Sequence, residues 1–299
     1  MPLRLALLLP LALAGCSSQP AERVVEIHVE YAVRSEPGTR GLTVTLQLPV
    51  DLPGAQRVRT LRVTPEPRRV FEEGGGRYAE LFFDEGPDLV RIQLAAVIEL
   101  WDDRFAAEVG EPSKLPDAER ARCLAAEPHL ERDAPEVQAI AARLSGDSEL
   151  ERLRSGYRLV CAALAPEDIA DEARGALATV RRGGGDCSDY SDLLAAVYRA
   201  GGIPARVVTG LHDLRRTAHH AWVEVWSDEG GWIALDPLQG DLGEADFGAA
   251  PGSYVAFTTL RNDPRLGPFF YYGFACEAGG ASVGWSYRLE LSPSSPLSR

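Results

Sequence analysis

The stretch GDCSDYSDLLAAVYRAGGIPARVVTG, residues 185–210, decides the fold, because it predicts a helix that begins at a cysteine and is followed by a strand. A glycine-rich turn leads into Cys187, and apolar residues then recur at helical spacing until Gly201 and Gly202 end the helix. At a helix N-terminus, unpaired N–H groups and the helix dipole stabilise a thiolate. With a neighbouring imidazolium, such sites lower a thiol pKa from ~8.5 to between about 3.5 and 7.5.

The next segments, HHAWVEVW at residues 219–226 and GGWIALDP at residues 230–237, predict a β-hairpin. Side chains alternate in direction along a strand. If residues 227–229 form a three-residue loop, His220 lies directly opposite Asp236, on the same face of the hairpin. Their Cβ atoms would then be about 4.5–5.5 Å apart, which is close enough for the carboxylate to orient the imidazole.

Cys187, His220 and Asp236 thus supply a nucleophile, its base and the group that orients the base, provided that the helix packs against the hairpin. Two simpler interpretations compete with this one. A lone cysteine is often a small buried hydrophobic residue. His219 is a rival base, but the alternation directs it to the opposite face of the strand.

The run GIPARVVTG, the tripeptide HAW and the ending LDP resemble the transglutaminase-like superfamily, whose members are relatives of papain-type cysteine peptidases. The resemblance covers residues 172–237. It implies that Cys187 is the nucleophile, His220 the general base and acid, and Asp236 the orienting carboxylate. It also implies a papain-like α+β fold and a thioacyl intermediate, which water resolves in a peptidase or amidase and an amine resolves in a transglutaminase.

Other polar and aromatic residues near these motifs have two interpretations each. Trp222 either lines the cleft or belongs to the core, where strand aromatics usually lie. Asp189, with Asp186 and Asp192, either binds a cationic substrate group or caps the helix and faces solvent.

We expect no cofactor and no metal ion. The sequence contains neither a phosphate-binding loop nor a zinc-type spacing of cysteine and histidine. His212, His219 and His220 are close in sequence, but proximity alone does not make a metal site.

The N-terminus predicts export and lipid attachment. Residues 1–15 contain an early arginine and the apolar run LALLLPLALA, and the ending LAG before Cys16 is typical of a lipoprotein signal. By resemblance to bacterial lipoproteins, Cys16 would carry the acyl chains that hold the protein on the membrane. We therefore predict an exported, membrane-anchored lipoprotein of the bacterial cell envelope, on the periplasmic side. An ordinary secretory signal with a chance cysteine is the alternative.

The composition fits an exported globular enzyme and excludes a nucleic-acid-binding surface. The chain has 299 residues and a formal charge of −13, so no basic footprint is present. Lys114 is the only lysine, so the protein would be a poor amine donor in its own crosslinking. An exported protein can form disulfides, but Cys161 lies on the apolar stripe of a predicted helix and is expected to be a buried thiol, with Cys123 and Cys276 remaining.

The patterns divide the chain into a signal peptide at residues 1–15, a lipidated tether at 16–23, an antiparallel β-sandwich at 24–110 and a transglutaminase-like α+β domain at 111–299. The sandwich is predicted from strict alternation in its first strands, such as Val25, Ile27, Val29 and Tyr31. The function expected is acyl transfer on amide bonds of envelope peptides or proteins. The alternative is a non-catalytic scaffold that binds an envelope partner.

Overall fold

The computed structural model describes residues 23–101, 114–170, 172–212, 219–248, 254–263, 265–266 and 271–291. The strands are β1 (Arg23–Ser35), β2 (Arg40–Leu48), β3 (Gln56–Thr64), β4 (Arg69–Glu73), β5 (Gly76–Glu85), β6 (Val90–Leu100), β7 (Ala165–Pro166), β8 (Gly184–Gly185), β9 (Ala205–Leu211), β10 (His219–Ser227), β11 (Gly231–Leu235), β12 (Val255–Thr258), β13 (Tyr272–Ala275) and β14 (Ala281–Leu291). The helices are α1 (Asp117–Leu124), α2 (Pro135–Ala141), α3 (Glu149–Cys161), α4 (Ala176–Arg182), α5 (Cys187–Ala200) and α6 (Pro237–Asp241).

Two four-stranded antiparallel sheets, in the orders β14-β1-β6-β3 and β13-β2-β5-β4, form a sandwich around one apolar core. The alternation in the sequence produces this core, because every second side chain of a strand points to the same face. The four alternating residues predicted in β1 are at most 2% exposed. The predicted sandwich is therefore confirmed.

The C-terminal strands belong to this sandwich, which differs from the predicted domain boundaries. β14 pairs with β1 along its whole length, and β13 pairs with β2. The catalytic domain therefore does not extend over residues 111–299, since its last strands complete the N-terminal sheets. The residues that pair between β1 and β14 are 246 to 266 positions apart in the chain, so no local pattern reveals this pairing.

The α+β part is built on the sheet β11-β10-β9-β12, with α5 packed against β10 and β9. The core beneath α5 contains Ala221, Val223 and Val225, the odd-numbered residues of β10. The even-numbered residue Trp222 lies on the other face, against Val50 from the sandwich. This one sheet therefore contacts helices on one side and the sandwich on the other.

Helix starts follow the capping rules only in part. Ser148 and Glu151 form a capping box at the start of α3, as they do in many helices. α2 has no side-chain cap and begins at Pro135, whose fixed φ suits the first helical position. α1 also begins without a side-chain cap, directly after Pro116.

The predicted register of the β10–β11 hairpin is also wrong, by two residues. Trp226 pairs with Trp232 and Ser227 with Gly231, so the loop is residues 228–230. Gly231 has a φ of 76°, which favours glycine, and the Ser227 Oγ accepts hydrogen bonds from two backbone N–H groups of the loop. A shift of two residues keeps every side chain on its face, so the expected juxtaposition of His220 and Asp236 survives the error.

Among the helices of the described ranges, none combines the length and the apolar composition needed to cross a membrane. The predicted signal peptide, Cys16 and most of the tether lie outside the described residues.

Candidate active site

Cys187 is the first residue of α5 and is buried at the start of that helix. Asp186 caps the helix: its Oδ1 accepts hydrogen bonds from the N–H groups of Ser188 (2.9 Å) and Asp189 (3.3 Å). Asp189 completes a capping box by accepting from the Asp186 N–H at 3.1 Å. These bonds fix the backbone that presents the sulfur, and the N–H of Cys187 itself is one that a helix leaves without an intrahelical partner.

The turn before Cys187 is rich in glycine because a side chain would not fit there. Gly183 ends α4 with a φ of 74°, and the next two glycines pair with β7 in a short parallel ladder. A Cβ on Gly185 would lie 2.4 Å from the Cβ of Asp189. A side chain at this position would therefore push the capping carboxylate away from the helix start.

His220 lies between Asp236 and Cys187. Its Nε2 is 2.5 Å from the Asp236 Oδ2, and the Cys187 thiol is near enough to contribute to the raised pKa of the imidazole. Because Nε2 is committed to the carboxylate, Nδ1 is the ring nitrogen available to the thiol. The structure thus brings together the three residues that the sequence analysis selected, although Asp236 follows β11 instead of pairing with His220 inside the sheet.

The electrostatics of the pair favour a charged imidazole. Burial lowers the pKa of His220, but the Asp236 carboxylate and the Cys187 thiol outweigh burial and raise it to about 10. For Asp236, burial raises the pKa, but the imidazolium and three hydrogen-bond donors outweigh it, and the net pKa is lowered. An imidazolium held beside a cysteine at neutral pH is the arrangement that stabilises a thiolate.

Asp236 has further partners that fix its orientation. Its Oδ1 accepts from the Gln239 N–H at 3.0 Å as the N-cap of α6, and its Oδ2 accepts from the Tyr254 hydroxyl at 2.6 Å. Its backbone carbonyl accepts from the Tyr157 hydroxyl at 2.7 Å.

Sequence reasoning did not identify Tyr254 as a residue of the site. Tyr254 immediately precedes β12 and is 18 residues from Asp236, so only the tertiary structure shows the contact. Burial and the Asp236 carboxylate raise the pKa of its hydroxyl, which therefore stays protonated as a donor.

Aromatic rings surround the imidazole. The His212 ring lies 4.4 Å from the His220 ring, and Trp222 stacks on His220 at 6.3 Å with an interplanar angle of 21°. Trp222 is 3% exposed and packs with Tyr254 in a small core. Of the two interpretations of Trp222, the structure therefore favours the core residue, and the ring lies behind the triad. Within the described ranges, no set of three potential metal ligands comes together.

Of the two interpretations of Asp189, its contacts agree with helix capping and contradict a position in the cleft. It is 2% exposed; Thr179 and Arg174 donate to its carboxylate in addition to the capping bond. Asp192 is also buried, in a bidentate pair with Arg261. Both carboxylates are fully used inside the protein and cannot bind a cationic substrate group.

The cysteines at 123, 161 and 276 are free thiols. Burial raises the pKa of Cys123, and burial together with Asp241 raises the pKa of Cys161 to about 12. Cys161 is a half-buried thiol packed against the core, so the expectation of a buried core thiol holds only in part. The side chain of His219 lies outside the described part of the structure.

Comparison with known proteins places the site in a family context. Residues 138–237 match the family model described as the transglutaminase-like superfamily. A protein-glutamine gamma-glutamyltransferase of Pseudomonas aeruginosa is 41% identical over 18% of this chain and 10% of its own length. An uncharacterized protein of Bacillus subtilis is 30% identical over 21% of this chain and 11% of its own length. The chain thus spans about a tenth of the length of these curated relatives.

The fold as a whole has a solved counterpart. A candidate cysteine protease from Cytophaga hutchinsonii superimposes with a TM-score of 0.66 and 19% identity, covering 90% of each chain. This likeness includes the sandwich as well as the α+β part, and it confirms the predicted fold class.

Proposed function

We propose that this chain, whose residues 138–237 match the model of the transglutaminase-like superfamily, is a cysteine-nucleophile enzyme that transfers acyl groups from amide bonds through a thioacyl intermediate. The observation that carries the proposal is the chain of contacts from the helix-terminal Cys187 to His220 and on to Asp236 at 2.5 Å. A buried core cysteine needs neither partner.

The reaction begins with attack of the Cys187 thiolate on the amide carbonyl carbon. A C–S bond forms, and the negative charge on the carbonyl oxygen is stabilised by the backbone N–H of Cys187 and the N-terminal end of α5. The imidazolium of His220 gives its Nδ1 proton to the departing amine as the C–N bond breaks. The thioester then remains on Cys187 and the amine leaves.

The second half of the reaction returns the enzyme to its first state. Neutral His220 takes a proton from water or from an amine, which attacks the thioester and releases the Cys187 thiolate. Water gives hydrolysis and an amine gives transamidation. Asp236 keeps the Nε2 proton in place throughout, so that Nδ1 faces the reacting atoms.

We also propose where the enzyme works. The apolar run and the LAGC ending at Cys16 support export and lipid attachment, which would place the enzyme on the periplasmic side of the bacterial cell envelope. Peptides or proteins of the envelope are then its substrates, and the membrane is reached through the acyl chains.

The test uses an activated acyl donor, p-nitrophenyl acetate, which does not depend on substrate identity. The enzyme should release one equivalent of p-nitrophenolate rapidly while an acetyl group accumulates on Cys187, as intact mass spectrometry would show. Cys187→Ala should abolish both signals with an unchanged thermal melt. Cys123→Ala, a matched control at a buried thiol away from the triad, should retain them. A dilute primary alkyl amine competing with water for the acetyl group would then distinguish an acyltransferase from a hydrolase.

A non-catalytic scaffold makes the opposite prediction. It would show no burst, and its acetylation would be slow and unaffected by Cys187→Ala. That result would overturn the proposal.

A further inference from the structure

Tyr254, which donates to Asp236, immediately precedes β12, the edge strand of the catalytic sheet. β12 pairs with β9 on one side. An edge strand leaves backbone N–H and C=O groups on its other side, and these need partners when they are buried. The partners come from the sandwich.

Gln56, the first residue of β3, supplies the main contacts. Its Oε1 accepts from the Ala256 N–H at 2.8 Å, and its Nε2 donates to the Ala256 carbonyl at 2.9 Å. The second proton of Nε2 goes to the Val50 carbonyl at 2.7 Å. The side-chain amide thus imitates a neighbouring strand, and Gln56 is only 4% exposed.

The arrangement connects the sandwich to the triad in three steps. Gln56 fixes the backbone of Ala256, Ala256 is two residues from Tyr254, and the Tyr254 hydroxyl lies 2.6 Å from the Asp236 Oδ2. Tyr254 and Ala256 pack in the same small core, together with Val50 of the sandwich.

We propose that Gln56 is a positioning residue of the catalytic triad, which holds Tyr254 against Asp236 from the β-sandwich. The sandwich is then a part of the catalytic apparatus and more than a spacer between membrane and enzyme. This inference rests on the proposed function, since it concerns the orientation of the same triad.

The expected effect is on the carboxylate. Without the Tyr254 hydroxyl, the buried Asp236 has one donor fewer and is protonated more readily. The acid limb of Cys187 reactivity should therefore move to higher pH by about one unit, and the rate of alkylation on that limb should fall roughly tenfold.

The experiment measures iodoacetamide alkylation of Cys187 from pH 4 to pH 10 in the full chain. Tyr254→Phe removes only the hydroxyl, and Gln56→Met keeps the size of the side chain but removes the amide. Both should shift the acid limb upward. The double variant should shift it no further than Tyr254→Phe alone, since two changes in one connection are not additive.

Tyr272→Phe is the matched control, because it makes the same chemical change as Tyr254→Phe. Tyr272 lies in β13 of the sandwich, and its hydroxyl donates to the Val283 carbonyl of β14 at 3.1 Å. Its loss should leave the acid limb in place. If Gln56→Met does not fold, Gln56→Asn, which keeps the amide but shortens its reach, replaces it.

The outcomes distinguish a failure of the proposed function from a failure of the role proposed for Gln56. If wild-type Cys187 shows no enhanced reactivity at low pH, the proposed function fails. If it does, but Gln56→Met retains the wild-type profile while Tyr254→Phe shifts it, Gln56 has only a structural role. An unshifted Tyr254→Phe or an additive double variant also overturns the inference.

Discussion

Replacing Asp236 by asparagine tests the electrostatic part of the site most sharply. The carboxylate accepts from the His220 Nε2 and from the Tyr254 hydroxyl through Oδ2, and from the Gln239 N–H through Oδ1. An amide has one acceptor atom. If its oxygen keeps the Gln239 bond, its NH₂ faces His220 and Tyr254, and the imidazole must turn its unprotonated nitrogen toward residue 236. Nδ1 then carries the proton and His220 cannot act as a base.

The magnitude follows from the pKa of His220, which is raised from 6.5 to about 10. At the higher value almost every molecule holds an imidazolium at pH 7, whereas at 6.5 only about a quarter would, and burial lowers that fraction further. The shift corresponds to an upper limit of roughly 5 kcal/mol for the interactions of the charged ring. Loss of the correct tautomer in a comparable triad lowers kcat about ten-thousandfold, and we expect an effect of that order.

The assay is an NMR titration of the His220 ring in protein labelled with ¹⁵N-histidine, beside the rate of thioester formation. In the wild type the ring should stay protonated until the pH approaches about 10. In Asp236→Asn it should lose its proton below pH 7. Asp241→Asn is the control, because it makes the same chemical change in α6, where the partner is the Tyr190 hydroxyl. A His220 titration that is identical in Asp236→Asn and the wild type would refute the reasoning.

Two further predictions concern the packing of the fold and the attachment of the protein to the membrane. Gly210→Ala should destabilise the protein by about 3 kcal/mol or more, because the new Cβ would lie 1.9 Å from the Val255 carbonyl oxygen, and a packed backbone cannot yield; Gly284→Ala, with open space around it, should melt within a degree or two of the wild type. Equal melting temperatures for the two variants would contradict the packing of β12 on β9. Cys16→Ala should end the incorporation of radiolabelled fatty acid and release the protein from membranes, and continued labelling of that variant would show that the lipoprotein interpretation is wrong.

The sequence predicted those structural features whose determining residues are close together in the chain. The start of α5 could be predicted because a glycine turn, an acidic cap and an apolar stripe are consecutive in the chain. His220 and Asp236 were expected on one face because side chains alternate in direction along the strands of a hairpin. The register differs from the expected one by two residues, for which Gly231 and Ser227 provide the reason. A shift of two residues leaves every side chain on the same face, so the expectation held.

Other features depend on contacts between distant segments, which a single sequence does not reveal. Tyr254 meets Asp236 only because β12 packs on β9, and Gln56 meets Ala256 across 200 residues. In the same way, the alternation of β14 predicts a strand but not the sheet that it completes. These are long-range pairings, and composition alone gives them no signature.

The central claim is that His220 holds Cys187 as a reactive thiolate. The most direct measurement is the rate of iodoacetamide alkylation at each cysteine, resolved by peptide mass spectrometry at pH 6. The account predicts one fast-reacting residue, Cys187, in the wild type, since burial raises the thiol pKa of both Cys123 and Cys161. In His220→Ala this reactivity should disappear and return only as the pH nears the ordinary thiol value of ~8.5. A wild-type Cys187 that reacts no faster than the other cysteines, or one whose profile is unchanged in His220→Ala, would contradict the account.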